Sequence, residues 1–590
     1  MLVADILAAY LVHNQVAAFG VVGNGNIHMV SAMVEAGGKY TAVRHEAGAV
    51  AAADAYYRAS GKIAVATTTY GPGFSNALTP LTEAQAARVP LVYVTSDIPT
   101  TGARPIDINQ RGVLEALGIH HVCLTLDNAT TVLAEAFAWA RQHSAPAVVM
   151  VAHDLCDRVL PEHATTEGHA AAALDEIPLH HPAVPASAAA VSKVATLLSQ
   201  ARRPLFVIGR GAVESGMHES ILGMADRIGG LVCTTAWATN SVQSPWNLGI
   251  AGGFSHRGRL DLFRSADVVV VCGASLNKLQ TRGGGLFGSD ATLIRIDSSH
   301  SPAGFIRPTH EVHADLADAI PRIVRQLDSA MPNGIHGGLR TTHPTWREDI
   351  RELPSCESEE HDPGCFAEVD PSDGRLDPRF VLRRLAELLP SERTIVTDGG
   401  HFLGWVPKYL TGPDQHGLIM VGAAIMTIGL GLSSAVGAAV ARPERFTALI
   451  TGDGGCLMAA ADAESFLRAR ETEGHAGRGV IVLNDAAYGA EVHQYSPKGL
   501  NEKSMLLEEV DFSQLGAPFG VEGITISRPE QLAEGGELAQ FLERQLAGSS
   551  ADSAHVTSLD TREGSSKPSP NFVIDIRISR GPVADFLKEL

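Results

Sequence analysis

Apolar, β-branched runs alternate with helix-like stretches along almost the whole chain, and this alternation constrains the fold most. Runs of this kind lie at 64–73 (AVATTTYGPG), 91–97, 147–154, 204–211, 267–275 (DVVVVCGAS), 292–299, 394–400, 447–455 and 479–485. Several have no polar residue on alternate positions, as expected of parallel strands buried on both faces. Strands spaced by helices predict an α/β protein of doubly wound parallel sheets with right-handed crossovers. A chain of 590 residues is too long for one core and divides into several. Stretches at 157–188 and 329–377 are rich in Pro and polar residues and read as linkers. Three α/β blocks remain, at 1–156, 189–328 and 378–590. A polar piece at 548–570 reads as a surface insertion before a final strand and helix.

Charge and composition exclude several classes. A formal net charge of -19 disfavours nucleic acid or an anionic membrane as partner. No apolar run reaches the ~20 residues of a membrane span. The N-terminus, MLVADILAAYLVHNQVAAFG, has no basic leader and reads as an amphipathic helix. The 7 cysteines are dispersed without a CxxC pair, as expected of reduced thiols in a cytoplasm.

The outer blocks echo one another. GAVAAADAYYRASGKIAVATTTYGPG (48–73) and GLSSAVGAAVARPERFTALITGDGG (431–455) each run from a small-residue helix through a basic turn and an apolar strand to a glycine-rich loop. Small residues let a helix lie close to a sheet, and glycines let backbone amides approach a ligand. Two such halves facing each other would build a site between domains.

Chemistry concentrates at Gly452-Asp453-Gly454-Gly455, at the carboxyl end of one predicted strand and the start of a helix, CLMAAADAESFLRA. The helix start favours a phosphate. An aspartate belongs beside a phosphate only if a hard cation such as Mg²⁺ bridges them. The next strand ends in Asn484-Asp485-Ala486-Ala487-Tyr488, which offers a second oxygen ligand. Taken singly, each motif is also explained by an N-cap or an Asn-Asp turn.

Taken together, a GDG followed about thirty residues later by an apolar strand ending in Asn-Asp resembles the metal-diphosphate signature of thiamine-diphosphate enzymes. The resemblance implies Asp453 and Asp485 as side-chain metal ligands and Ala487 as a backbone-carbonyl ligand. Gly454 and Gly455 would lie against the diphosphate. Asp485 stands where many relatives have asparagine, and still offers an oxygen to Mg²⁺.

A second, distant region resembles the pyrimidine-binding domain of the acetolactate synthase and pyruvate oxidase-like family. FGVVGNGN, RHEAGA, TTTYGPGFSNAL and ARVPLVYVTSDIP follow in the family's order between Phe19 and Pro99. By this resemblance Glu46 meets N1′ of the aminopyrimidine and favours the imino tautomer that deprotonates the thiazolium. On its own Glu46 is equally an acid in a first helical turn. Gly71, Gly73 and Asn76 fall in the loop that in relatives lies by the cofactor. In VGAAIMTIGLGLSSAVGAA (421–439), Ile428 aligns with the aliphatic wedge under the thiamine, and Met426 with the residue whose carbonyl meets the 4′-amine. TDGGHFLGW (397–405) resembles the diphosphate-side loop and makes His401 a candidate contact.

The resemblance covers the whole chain and implies three domains: pyrimidine-binding, central and diphosphate-binding. It also implies a homodimer or homotetramer with the cofactor between subunits. The expected activity is carboligation or lysis at a 2-oxo acid or related carbonyl compound, acetolactate-synthase-like. The alternative is a non-oxidative 2-oxo-acid decarboxylase. Ser275-Leu276-Asn277-Lys278-Leu279 replaces the family's Arg-Phe-Asp-Asp-Arg stretch, which makes FAD doubtful. The Phe-Gln-Glu acceptor segment aligns near Ile108-Asn109-Gln110. His28, beside the GNGN loop, is a candidate catalytic group, and Tyr488, Glu491 and His493 fall where relatives place groups facing the cofactor or substrate. His120-His121 resembles the histidine pair of pyruvate decarboxylases but falls about eleven residues late, and reads as structural.

Overall fold

The computed structural model describes residues 1–160, 184–299, 304–331, 345–356, 358–468, 476–546 and 570–588. It contains three six-stranded sheets. The first is built from β1 (Ala18–Gly20), β2 (Tyr40–Ala42), β3 (Val65–Thr68), β4 (Val92–Asp97), β5 (His120–Cys123) and β6 (Ala147–Ala152), in the order β2-β1-β3-β4-β6-β5. The second comprises β7 (Pro204–Ile208), β8 (Leu231–Thr234), β9 (Asn247–Ile250), β10 (Val268–Cys272), β11 (Thr292–Asp297) and β12 (His310–His313), ordered β12-β11-β10-β7-β8-β9. The third has β13 (Arg393–Thr397), β14 (Leu418–Met420), β15 (Phe446–Gly452), β16 (Arg478–Asn484), β17 (Glu522–Ile526) and β18 (Asn571–Arg577), ordered β14-β13-β15-β16-β18-β17. All pairings between these strands are parallel.

Renumbered from its own first strand, the third sheet has the order of the first, so the echo seen in the outer blocks is a shared topology. The central sheet instead has the order of dinucleotide-binding folds. The central strands β4, β6, β10, β15 and β16 are buried almost throughout, which is why they carry unbroken apolar runs.

Six helices position the site: α1 (Ile27–Glu35), α2 (Glu46–Ser60), α3 (Leu78–Ala87), α4 (Gly431–Ala441), α5 (Asp453–Met458) and α6 (Gly489–Tyr495). In the first and third sheets, α2 and α4 occupy the same place, between the second strand and the third. Their small residues bring more than helix against sheet: α2 and α4 lie directly on each other. A Cβ on Gly437 would stand 1.9 Å from the Ala52 carbonyl oxygen, and one on Gly48 2.3 Å from Asp462 Oδ2. One apolar cluster therefore runs from Phe19 and Ala52 through Ala435 to Leu449, spanning both outer domains.

Two expectations need revising. The helix after the GDGG loop is broken into α5, a 3-10 turn at Ala460–Asp462 and a short helix Ala463–Leu467. Asp462, at the break, accepts the Arg44 amide at 2.6 Å and the Ser433 hydroxyl at 2.5 Å. The described part of 329–377 is also more than a linker. Thr345 and Glu348 form a capping box, Trp346 is buried in the central core, and Cys365 and Leu376 are buried. Most of 157–188 and of the 548–570 piece lies outside the described residues.

Candidate active site

The carboxyl ends of β15 and β16 bring the two metal-ligand candidates together. Asp453 opens α5 and is buried; its Oδ1 accepts the Gly454 amide at 2.8 Å and its Oδ2 the Ala487 amide at 3.1 Å. Burial lifts the Asp453 carboxyl to about 6. Burial and then the Asp453 charge lift Asp485 to about 7. Two buried carboxylates that repel one another are a donor set that a divalent cation would relieve. Among the described residues no group of three or more His, Cys, Asp or Glu could hold a metal. The pair therefore suits a cation that takes its remaining oxygens from phosphate, backbone and water.

The Asn484-Asp485 step divides its work. Asn484 is fully buried and donates to the Val510 carbonyl and to Asp575 Oδ1, both at 3.0 Å, so it builds the strand end. Ala486 takes a left-handed φ of 53°, which turns the chain, and Ala487 bridges to Leu506. The bridge is made by the Tyr488 amide to Met505 and the Leu507 amide to Ala486. Ala487 therefore turns its own N–H and C=O to the other side, where its N–H meets Asp453. Gly454 and Gly455 leave a cradle: a Cβ on the first would stand 2.8 Å from the Tyr488 ring, and on the second 2.5 Å from Asp398 Oδ2.

Asp398 is a residue that the sequence reading missed. It is buried and accepts the Gly429 amide on both oxygens, at 3.0 and 3.2 Å, and the Gly399 amide at 2.8 Å. Burial lifts it to about 6 despite these amides. It ties the loops after β13 and β15 to the segment carrying Met426 and Ile428. Its signal was the one used for Asp453, a carboxylate at the end of a predicted strand before glycines. Met426 is 63% exposed at a left-handed φ of 60°. Ile425, Leu457 and Met458 are exposed nearby, with Met458 against Gly429.

His401 is buried, and its Nε2 accepts the Ala584 amide at 3.1 Å. Burial, then the neighbouring His493, hold it well below the usual imidazole range, so it is neutral. Its ring centre is 4.6 Å from Trp405 and 4.4 Å from His493, and its Nδ1 flanks Gly489.

The N-terminal domain assembles a second group. Asn76 donates to Glu46 Oε2 at 2.9 Å, and Glu46 is half-buried at the start of α2. Gly71 has a φ of 62°, which favours glycine, and its amide donates to Gln110 Oε1 at 2.7 Å. Gln110, seen in the sequence only as a departure from the family pattern, also donates to the Ser96 carbonyl at 2.8 Å and so fixes the loop. A Cβ on Gly73 would stand 2.8 Å from Thr69. The GNGN loop is held by Asn26, which accepts the Gly23 amide and donates to Val21 and Thr67. His28 is exposed in the first turn of α1. The His120 ring stacks on Trp139 at 4.1 Å.

Each group is thus brought together within its own domain. Among the described residues no hydrogen bond or ion pair joins Glu46 or His28 to the Asp453–Asp485 pair. Folding places the start of α2 beside Asp462 instead.

Family models match each block. Residues 1–117 match the N-terminal TPP binding domain of thiamine pyrophosphate enzymes, 191–323 their central domain and 398–545 their C-terminal TPP binding domain. The acetolactate synthase isozyme 2 large subunit of Escherichia coli (strain K12) is 24% identical over 537 residues, covering 87% of this chain and 88% of that protein. The acetolactate synthase large subunit of Parasynechococcus marenigrum (strain WH8102) is 28% identical, over 84% and 77% of the two chains. The sulfoacetaldehyde acetyltransferase of Castellaniella defragrans is 25% identical, over 90% and 88%. The chain belongs to the thiamine pyrophosphate enzymes, in the acetolactate synthase and pyruvate oxidase-like family. Thiamine diphosphate is accordingly its cofactor, and it forms or cleaves C–C bonds of carbonyl compounds.

Proposed function

We propose that the enzyme holds thiamine diphosphate through Mg²⁺ at Asp453, Asp485 and the Ala487 carbonyl, and acts on a 2-oxo acid as an acetolactate-synthase-like carboligase. The buried, mutually repelling Asp453–Asp485 pair carries this reading, because it calls for a cation. Bound thiamine diphosphate supplies a carbon nucleophile for a carbonyl. Gly454, Gly455 and Tyr488 line the diphosphate, with neutral His401 beside them. Met426 and Ile428 face the thiamine. Glu46, oriented by Asn76, would hold a hydrogen bond to the pyrimidine ring nitrogen, and Gly71 and Gly73 would let that loop lie close. His28 stands on the substrate side.

The three domains are read as 1–156, 189–328 and 378–590. Glu46 of one subunit and the metal loops of another form each site, which makes the enzyme a homodimer at least. Supporting this, Ile425, Met426, Leu457 and Met458 leave apolar side chains exposed beside the site. A cytoplasmic location agrees with the dispersed thiols, of which Cys123, Cys156, Cys233, Cys272 and Cys456 are free. No helix among the described residues is long and apolar enough to cross a membrane.

The reaction is tested with the Mg²⁺-loaded enzyme and a panel of 2-oxo acids, with and without aldehyde acceptors. Acyloin products support carboligation; free aldehyde alone assigns a simple decarboxylase and overturns it.

A further inference from the structure

The segment 421–430, between β14 and α4, is held at both ends by buried carboxylates, one from each outer domain. At its far end Asp398 of the C-terminal domain takes the Gly429 amide. At its near end stands Glu83, from α3 of the N-terminal domain, with no exposed surface. The Gly422 amide donates to Glu83 Oε1 at 3.1 Å, and the Ala424 amide to both oxygens at 3.0 Å. The Ile425 amide donates to Oε2 at 2.9 Å. These amides converge because Gly422 takes a φ of 97° and the Thr427 amide returns to the Gly422 carbonyl at 2.9 Å. Successive amides aimed at one point form an anion-binding nest, and here the anion is a side chain of the neighbouring domain.

The charge is matched from behind. Arg58 Nη2 is 3.9 Å from Glu83 Oε1, and the same guanidinium binds Asp54 one turn earlier on α2. Its carbon Cζ lies 4.9 Å from the centre of the Trp237 ring, which also carries Arg210 at 5.0 Å. Trp237 and Arg210 belong to the central block, and Arg210 donates to the Ala87 carbonyl at the end of α3. A carboxylate buried without solvent is thus fixed by all three blocks and spends both oxygens on the segment. Beyond the clamp, Met426 is held out at a left-handed backbone conformation uncommon for a methionine.

We infer that Glu83 is a positioning residue for the cofactor. Through the Gly422, Ala424 and Ile425 amides it sets where the Met426 carbonyl and the Ile428 side chain stand. This rests on the reading of Met426 and Ile428 as cofactor contacts given above. Glu83 itself touches neither cofactor nor substrate.

Three variants of the full-length enzyme test it: Glu83→Gln, which turns an NH₂ group toward amide donors; Glu83→Asp, which keeps the charge but shortens the reach; and Ile428→Ala. Hydrogen exchange of 421–428 is followed without cofactor, and thiamine diphosphate affinity by calorimetry with Mg²⁺. The near-ultraviolet circular dichroism of the bound pyrimidine is recorded as well. In the parent enzyme the Gly422, Ala424 and Ile425 amides are expected to be protected. Glu83→Gln should lose that protection, weaken the cofactor roughly tenfold to hundredfold, and alter the dichroic band, with KM for the carbonyl substrate unchanged. Glu83→Asp should fall between, and decides the matter if Glu83→Gln does not fold. Unprotected amides in the parent, or parental protection and affinity in a folded Glu83→Asp and Glu83→Gln, overturn the inference. Ile428→Ala separates the two claims. Parental binding in that variant removes the cofactor reading of the segment, and the inference with it. Weakened binding there, with no change in the Glu83 variants, removes the role of Glu83 alone.

Discussion

The first and third domains share a strand order, a helix at the same place and a glycine loop after the same strand, yet they present different chemistry there. After β3 the loop is uncharged, Gly71-Pro72-Gly73, and the acid stands at the start of α2 as Glu46. After β15 the loop carries the acid, Asp453, while α4 opens on Gly431. The lead into α2 is short (43–45) and the lead into α4 long (421–430), and only the latter is clamped by two buried carboxylates. On the proposed assignment of Asp453 and Glu46, one scaffold, used twice, yields a half that would anchor a metal diphosphate and a half that would supply a proton-handling group.

If that division holds, the two halves respond differently to loss of their acids. Asp453→Ala should abolish both cofactor retention and turnover, leaving less than about a thousandth of the activity. Calorimetric titration and steady-state assay measure the two effects. Glu46→Gln should lower kcat by roughly a hundredfold to ten-thousandfold while cofactor affinity changes little. Equal loss of cofactor from both variants would show that the halves are not specialised.

The seam between the halves is tested by Gly437→Ala, whose methyl group would meet the Ala52 carbonyl. It should cost about 1–3 kcal/mol, read as a lowered melting temperature. Gly223→Ala, on the central helix His218–Ile228 with nothing within 4 Å of the new methyl, should cost nothing and so serves as control. A Gly437→Ala enzyme as stable as the parent would mean that the outer domains meet loosely.

The smallest expected effect separates the halves by pH. Asp453 and Asp485 bind protons more tightly folded than unfolded, with values near 6 and 7 against an ordinary 3.8. Between pH 4 and 7 the folded metal-free protein therefore holds more protons than the unfolded chain, and these groups lower stability as pH rises. Mg²⁺ with thiamine diphosphate should accordingly raise the melting temperature more at pH 8 than at pH 5.5. In Asp485→Asn that difference should shrink, whereas Glu46→Gln should leave it unchanged.

Much of this was legible in the chain because it is locally encoded. β10 reads as VVVVC because both its faces are buried, and Asp453 and Asp485 are marked by their place at strand ends before glycines or a turn. β1 and β14 were not legible, since three residues show no period. Polar composition hid Trp346 and Leu376, which are buried among 345–377 by contacts with other parts of the chain. Small residues in α2 and α4 signalled a close approach, but nothing local says that each helix is the other's partner. Glu83 sits in LTEAQ, an ordinary helical sequence, and only a loop more than three hundred residues away makes it a buried ligand of amides.

The contact of Gly437 with Ala52 also bears on how such a chain can be rebuilt. A seam with no room for a methyl group cannot accept a helix from a relative whose own small residues fall one position away. The outer domains must therefore be inherited or grafted as a pair. Chimeras that exchange only one of them with relatives at 24–28% identity should assemble poorly, whatever the match of their cofactor loops.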